Sequence, residues 1–165
     1  MRQSLSPQQR LSYTRHPGSA LTEFRSHMSA GRDHHNRQQF ALAAREFNQA
    51  RLITQHLIDV DPLPGYQCYL KLKVASCHNL AAAFSGMGKL QHAEAVLREL
   101  HQSLLSLCRS EQIPRSLRTH ALGALDNALF ALTSLLGQQG KLCQLFKVIE
   151  ETDRTAEQAA QQMMH

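Results

Sequence analysis

The chain has 165 residues, about one domain's worth, with no Trp, 5% aromatic residues and a formal net charge of +5. Leu, Ala and Gln dominate, and β-branched and aromatic residues are scarce. That composition argues against a sandwich, a barrel or a doubly wound sheet, and no run of about 18 apolar residues reads as a membrane span.

Residues 1–18 hold Pro7 and Pro17 with no sustained period, and they read as a flexible basic tail ahead of a single helical domain over 19–165. Ser19 can cap a first helix to about Asp33, with Leu21, Phe24, Met28 and Ala30 near one face. Gly31 and the polar run 32–36 read as its end. A second helix from about Arg37 carries Phe40, Ala43, Phe47, Ala50, Ile53 and Leu57 at helical spacing. It stops before Asp61-Pro62-Leu63-Pro64-Gly65, the strongest breaker in the chain. A third helix is expected over 66–85, with Leu70, Val74, Cys77, Ala81 and Phe84 as its apolar stripe. Gly86-Met87-Gly88 makes a turn into a fourth helix over 90–109. After Pro114, a fifth is expected over 116–136. Gly137-Gln138-Gln139-Gly140 then leads into a sixth, which starts at Lys141 and ends in a Gln/Ala/Met-rich tail.

Three segments superimpose. Cys77-x2-Leu80-Ala81-x2-Phe84, then Gly88, then Ala93-x3-Leu97-x2-Leu100 is the clearest copy. Ala30-Gly31-x2-His34 with Ala43-x3-Phe47-x2-Ala50 is the first. Leu129-x2-Leu132-Thr133-x2-Leu136 with Gly140 and Leu145-x3-Ile149-x2-Thr152 is the third. This pattern resembles the tetratricopeptide repeat, and Ser76 to Ala81 is similar to a segment of small, uncharacterised tetratricopeptide-like proteins of gammaproteobacteria. The spacing departs from that family: Ala43 to Ala93 is 50 residues and Ala93 to Leu145 is 52, against a usual period of about 34. The surplus lengthens helices by about two turns each. The resemblance implies three long antiparallel helical hairpins, stacked as a compact right-handed array. It brings no catalytic activity with it.

The residues agree on that last point. There is no phosphate loop, no GxSxG, no HxxxH and no HExxH, so neither an enzyme nor a cofactor or metal site is expected. His27 and His34 could share a helix face, but no carboxylate or thiol completes a set. Cys68, Cys77, Cys108 and Cys143 have apolar neighbours and read as reduced core residues of a cytoplasmic protein. His78-x-Leu80 resembles the histidine phosphotransfer motif, with Ala81 and Ala82 where that motif has Lys and Gly, so the cation that holds the phosphoryl group is missing.

The charge points to partners. Residues 1–51 hold eight Arg against Glu23, Asp33 and Glu46, a net +5, and the rest of the chain is neutral. In tetratricopeptide-like stacks the first helix of each hairpin lines a concave face. The matching positions here are Arg25 and Arg32, Lys71, His78 and Asn79, and Arg118 and Asn127. They predict a basic, amide-lined groove for a protein or acidic peptide, in an adaptor or small chaperone. The basic N-terminal region makes nucleic-acid binding the alternative. Leu142, Leu145 and Phe146 form a stripe on the last helix that a second copy of the chain could cover, giving a homodimer.

Overall fold

The computed structural model describes residues 4–60 and 66–164. They form seven α-helices and no strand: α1 Pro7–Arg15, α2 Pro17–Asn36, α3 Phe40–Val60, α4 Tyr66–Gly86, α5 Leu90–Arg109, α6 Arg115–Gln138 and α7 Leu142–Met164. The breaker at 61–65 lies outside the described residues. None of these helices is long and apolar enough to cross a membrane.

The N-terminal stretch expected to be an irregular tail instead contains α1. Its start is a capping box. Ser6 Oγ accepts from the Gln9 backbone at 3.2 Å, and Gln9 Oε1 accepts from the Ser6 N–H at 3.1 Å. Tyr13 then anchors the helix: it is 1% exposed and its hydroxyl donates to Glu23 Oε2 on α2 at 2.5 Å. Burial, that hydrogen bond and the Glu23 charge raise the phenol to about 12. His56 of α3 donates from Nε2 to the Arg10 carbonyl at 3.0 Å, a second tie. Tyr13→Phe should weaken α1 docking by about 1 kcal/mol. Faster amide exchange confined to residues 7–15 is the expected readout.

α2 starts at Pro17 rather than Ser19, because proline's fixed φ suits the first helical position. It also runs through Gly31 instead of ending there. A Cβ on Gly31 would lie 2.5 Å from Phe47 Cε1 and 2.7 Å from Phe47 Cδ1. The glycine therefore serves close packing of α2 on α3, not helix termination.

Three turns share one hydrogen-bond pattern. After α2, Gln39 N–H donates to the His34 carbonyl at 2.9 Å and Gln38 N–H to His35 at 2.9 Å. After α4, Lys89 pairs with Phe84 and Gly88 with Ser85, both at 2.9 Å. After α6, Lys141 pairs with Leu136 at 2.9 Å and Gly140 with Gly137 at 3.0 Å. These nested bonds close a helix C-terminus on a left-handed residue. That residue is Gln38 (φ 59°), Gly88 (φ 71°) or Gly140 (φ 68°). The next helix then restarts alike, with Ala43, Ala93 and Leu145 donating to the carbonyls of Gln39, Lys89 and Lys141. The 50- and 52-residue spacing of the motif is thus repeated in backbone geometry.

The chain divides into two compact units, Met1–Ala93 and Glu94–His165, with the boundary inside α5. In the first, α3 packs against both α2 and α4. That position explains its wide apolar face: Ala43, Ala44, Phe47, Ala50, Ile53, Leu57 and Ile58 are all buried. In the second, α6 packs on α7 over a core that includes Leu125, Leu132, Leu136, Val148 and Ala159. Side chains of α5 reach α7 through polar contacts of Arg98, His101 and Arg109, and Glu94 reaches Lys141 of the turn that precedes α7.

Candidate functional site

In the first unit the positions expected to face a partner form two rows. On α2, Arg25, Ser29 and Arg32 recur at i, i+4 and i+7 and all are exposed. On α4, Lys71, Ala75, Ala82 and Ser85 are exposed at the same spacing, with His78 half-buried among them and Asn79 half-buried beside them. Both helices lie against α3. Among the described residues, the charged groups of Arg25, Arg32 and Lys71 make no ion pair and the Asn79 amide makes no hydrogen bond.

His78 differs from its neighbours. Its Nε2 is shielded from solvent and has no hydrogen-bond partner among the described residues. Burial lowers its pKa, so the ring stays neutral where a free histidine would begin to charge. A phosphoryl group arriving at Nε2 would first need the ring to turn outward.

The second-unit candidates part company. Asn127 is exposed on α6, as expected. Arg118 is not a groove residue: it is 9% exposed, and its Nη1 donates to Gln162 Oε1 of α7 at 3.4 Å. The fourth position of α6 faces the hairpin interior, where a long side chain lies along the neighbouring helix. Its Nε has no partner among the described residues.

The histidines and cysteines also sort by packing. His27 Nδ1 is 2.7 Å from Glu46 Oε2, and His34 Nδ1 is 2.7 Å from Gln39 Oε1, so both are engaged in the α2–α3 hairpin. Among the described residues no group of three or more His, Cys, Asp or Glu could hold a metal ion. All four cysteines are free, but only Cys77 and Cys108 are core residues; Cys68 and Cys143 are exposed, lying on the outward sides of the first turns of α4 and α7. Burial raises the Cys108 thiol to about 11.

Two further surfaces stand apart from these rows. α1 and α3 border an open cleft of about 230 Å³ lined by Leu5, Arg10, Leu52, Gln55, His56 and Asp59, with Ser4 at its edge. In the second unit Leu142 and Phe146 are 57% and 66% exposed, and Phe130, which periodicity did not single out, is 75% exposed.

Among the described residues these features define an all-helical protein with repeated helix–turn–helix geometry and basic and amide side chains on its surface that have no partner there. The family model described as "Protein of unknown function (DUF2753)" matches residues 22–165, and the chain belongs to that family. The match begins inside α2, so α1 lies outside it. No curated protein and no solved structure matches the chain.

Proposed function

We propose that this protein is a non-catalytic interaction module of the cytoplasm, an adaptor or small chaperone. Its helical hairpins stack as a tetratricopeptide-like array. The repeated turn geometry supports the array. The observation that carries the binding role is the pair of rows on α2 and α4, where Arg25, Arg32, Lys71 and Asn79 stand exposed or half-buried without partners among the described residues. Guanidinium forks and a free amide suit a carboxylate-bearing peptide, with the amide reading its backbone. Arg118 drops out of the surface, and Asn127 remains on the second unit's outer side.

Nucleic-acid binding is the second reading, favoured by charge. Residues 1–93 carry eleven Lys and Arg against five Asp and Glu, while residues 94–165 carry seven against eight. Titration of the full chain with an acidic peptide and with duplex DNA, at 50 and 200 mM salt, separates the two. The peptide reading expects Arg25→Glu/Arg32→Glu and Lys71→Glu/Asn79→Ala each to weaken peptide binding by roughly tenfold. DNA binding that falls steeply with salt, together with peptide binding indifferent to both pairs, would establish the second reading instead.

A further inference from the structure

The seam between α5 and α7 encloses a titratable ring. His101 is 1% exposed, and its Nε2 lies 2.8 Å from Thr152 Oγ1 of α7. Thr152 donates its own proton to the Val148 carbonyl at 2.8 Å, so the ring nitrogen is the donor and the hydroxyl oxygen the acceptor. Thr152 and Thr155 are themselves buried, and Arg109 of α5 donates from Nη2 to Thr155 Oγ1 at 2.8 Å. The seam is therefore polar, buried at His101 and the two threonines and open to solvent at Arg109 and Glu151.

Three charged groups bear on the ring: Arg98 and Arg109 from α5, and Glu151 from α7. Glu151 is already engaged, accepting from Arg109 Nη2 at 3.2 Å and from Gln102 Nε2 at 3.3 Å. Arg98 is likewise engaged with Glu94, so a proton added to His101 would be a positive charge with no uncommitted carboxylate beside it among the groups that bear on the ring. It would also place an ion on a side chain that is 1% exposed. The Nε2 bond to Thr152 survives protonation, so the penalty is one of charge and not of a lost hydrogen bond.

We propose that His101 makes the α5–α7 seam an acid-triggered latch, in which a proton on the ring releases α7 from α5 and uncovers the buried stripe beneath it. Burial, first, and then Arg98 and Arg109 hold the ring's pKa down, outweighing Glu151, which raises it. The released ring takes a proton at about 6.5 and the latched ring only at lower pH. The sign follows: the latch is at full strength above about 6.5 and weakens as pH falls below it. Leu105 and Cys108, four and seven residues after His101 on α5, are fully buried and share its side of the helix.

Thiol labelling of the full chain with 4,4′-dithiodipyridine between pH 7.5 and 5 tests this. Exposed Cys68 calibrates the reagent, and Cys108 reports the seam. The Cys108 rate, normalised to Cys68, should rise about tenfold for each pH unit below about 6.5. His101→Gln, which keeps an N–H donor but does not titrate, should abolish that rise. Cys108 protection unchanged at pH 5, or an equal rise in His101→Gln, overturns the proposal. A His101 C2–H resonance titrating at or above pH 6.5 in the wild-type protein overturns it regardless of how the variant folds.

Discussion

Gly31→Val should destabilise the first unit by about 1–3 kcal/mol despite replacing a mid-helix glycine. Helix propensity alone argues for relief, since glycine costs about 1 kcal/mol relative to alanine within a helix. The packing term wins because a Cβ at this position would meet three atoms of the Phe47 ring at 2.5 to 3.0 Å. Phe47 is 1% exposed, so its ring has no open space to move into. The damage should depend on the ring. In a Phe47→Leu background, the added cost of Gly31→Val should shrink by about 1 kcal/mol or more, a coupling that urea unfolding of the double-mutant cycle measures. Strictly additive costs would show that the clash is absorbed elsewhere.

Glu94→Ala should cost the second unit about 1–3 kcal/mol at pH 7. The carboxylate accepts from Lys141 Nζ at 2.5 Å, Arg98 Nε at 2.8 Å and Gln139 Nε2 at 3.2 Å. It thus fastens the α6–α7 turn to α5. Removing it leaves two cations without their partner, and their partial exposure to water keeps the loss below that of a fully buried pair. Burial pushes the Glu94 pKa up, but hydrogen bonds from Lys141, Arg98 and Gln139 and the Arg98 charge outweigh it, leaving the value below the ordinary range. A depressed carboxylate stabilises the fold above its unfolded pKa and loses that contribution as pH falls through the folded one. The deficit of the variant should therefore be full at pH 7 and smaller at pH 3, as measured by urea unfolding at both values.

The long helices were legible because they bury a stripe. α5 was expected over 90–109 and spans Leu90–Arg109. α1 was missed because it buries so little, with Tyr13 its buried residue, and has no apolar period. Its one signal was Ser6-Pro7-Gln8-Gln9, a capping box with proline at the first helical position. Gly31 misled because a glycine after an apolar stripe reads equally as a cap or as a close approach. The ring that decides between them lies 16 residues away, on another helix. Gln38, the actual left-handed residue of that turn, gave no cue, since glycine holds the equivalent positions at 88 and 140. Arg25, Arg32 and Lys71 were readable as outward because helical spacing fixes direction. Arg118 was not, because a long aliphatic stem lets a charged residue be accommodated on an inward face.

The three matching turns carry a kinetic consequence. Each joins consecutive helices through three residues, so the chain closes short loops and makes contacts near in sequence, the regime in which helical proteins fold fastest. The turns are not equivalent as nucleation sites. Gly88 and Gly140 enter the left-handed region freely, whereas Gln38 does so at a cost of about 1–2 kcal/mol. The α4–α5 and α6–α7 turns can therefore form early from local preference alone. The α2–α3 turn gains less from local preference and leans on tertiary packing such as that of Phe47 on Gly31, so the N-terminal hairpin is expected to form after the other two, an order that pulsed amide exchange during refolding would check.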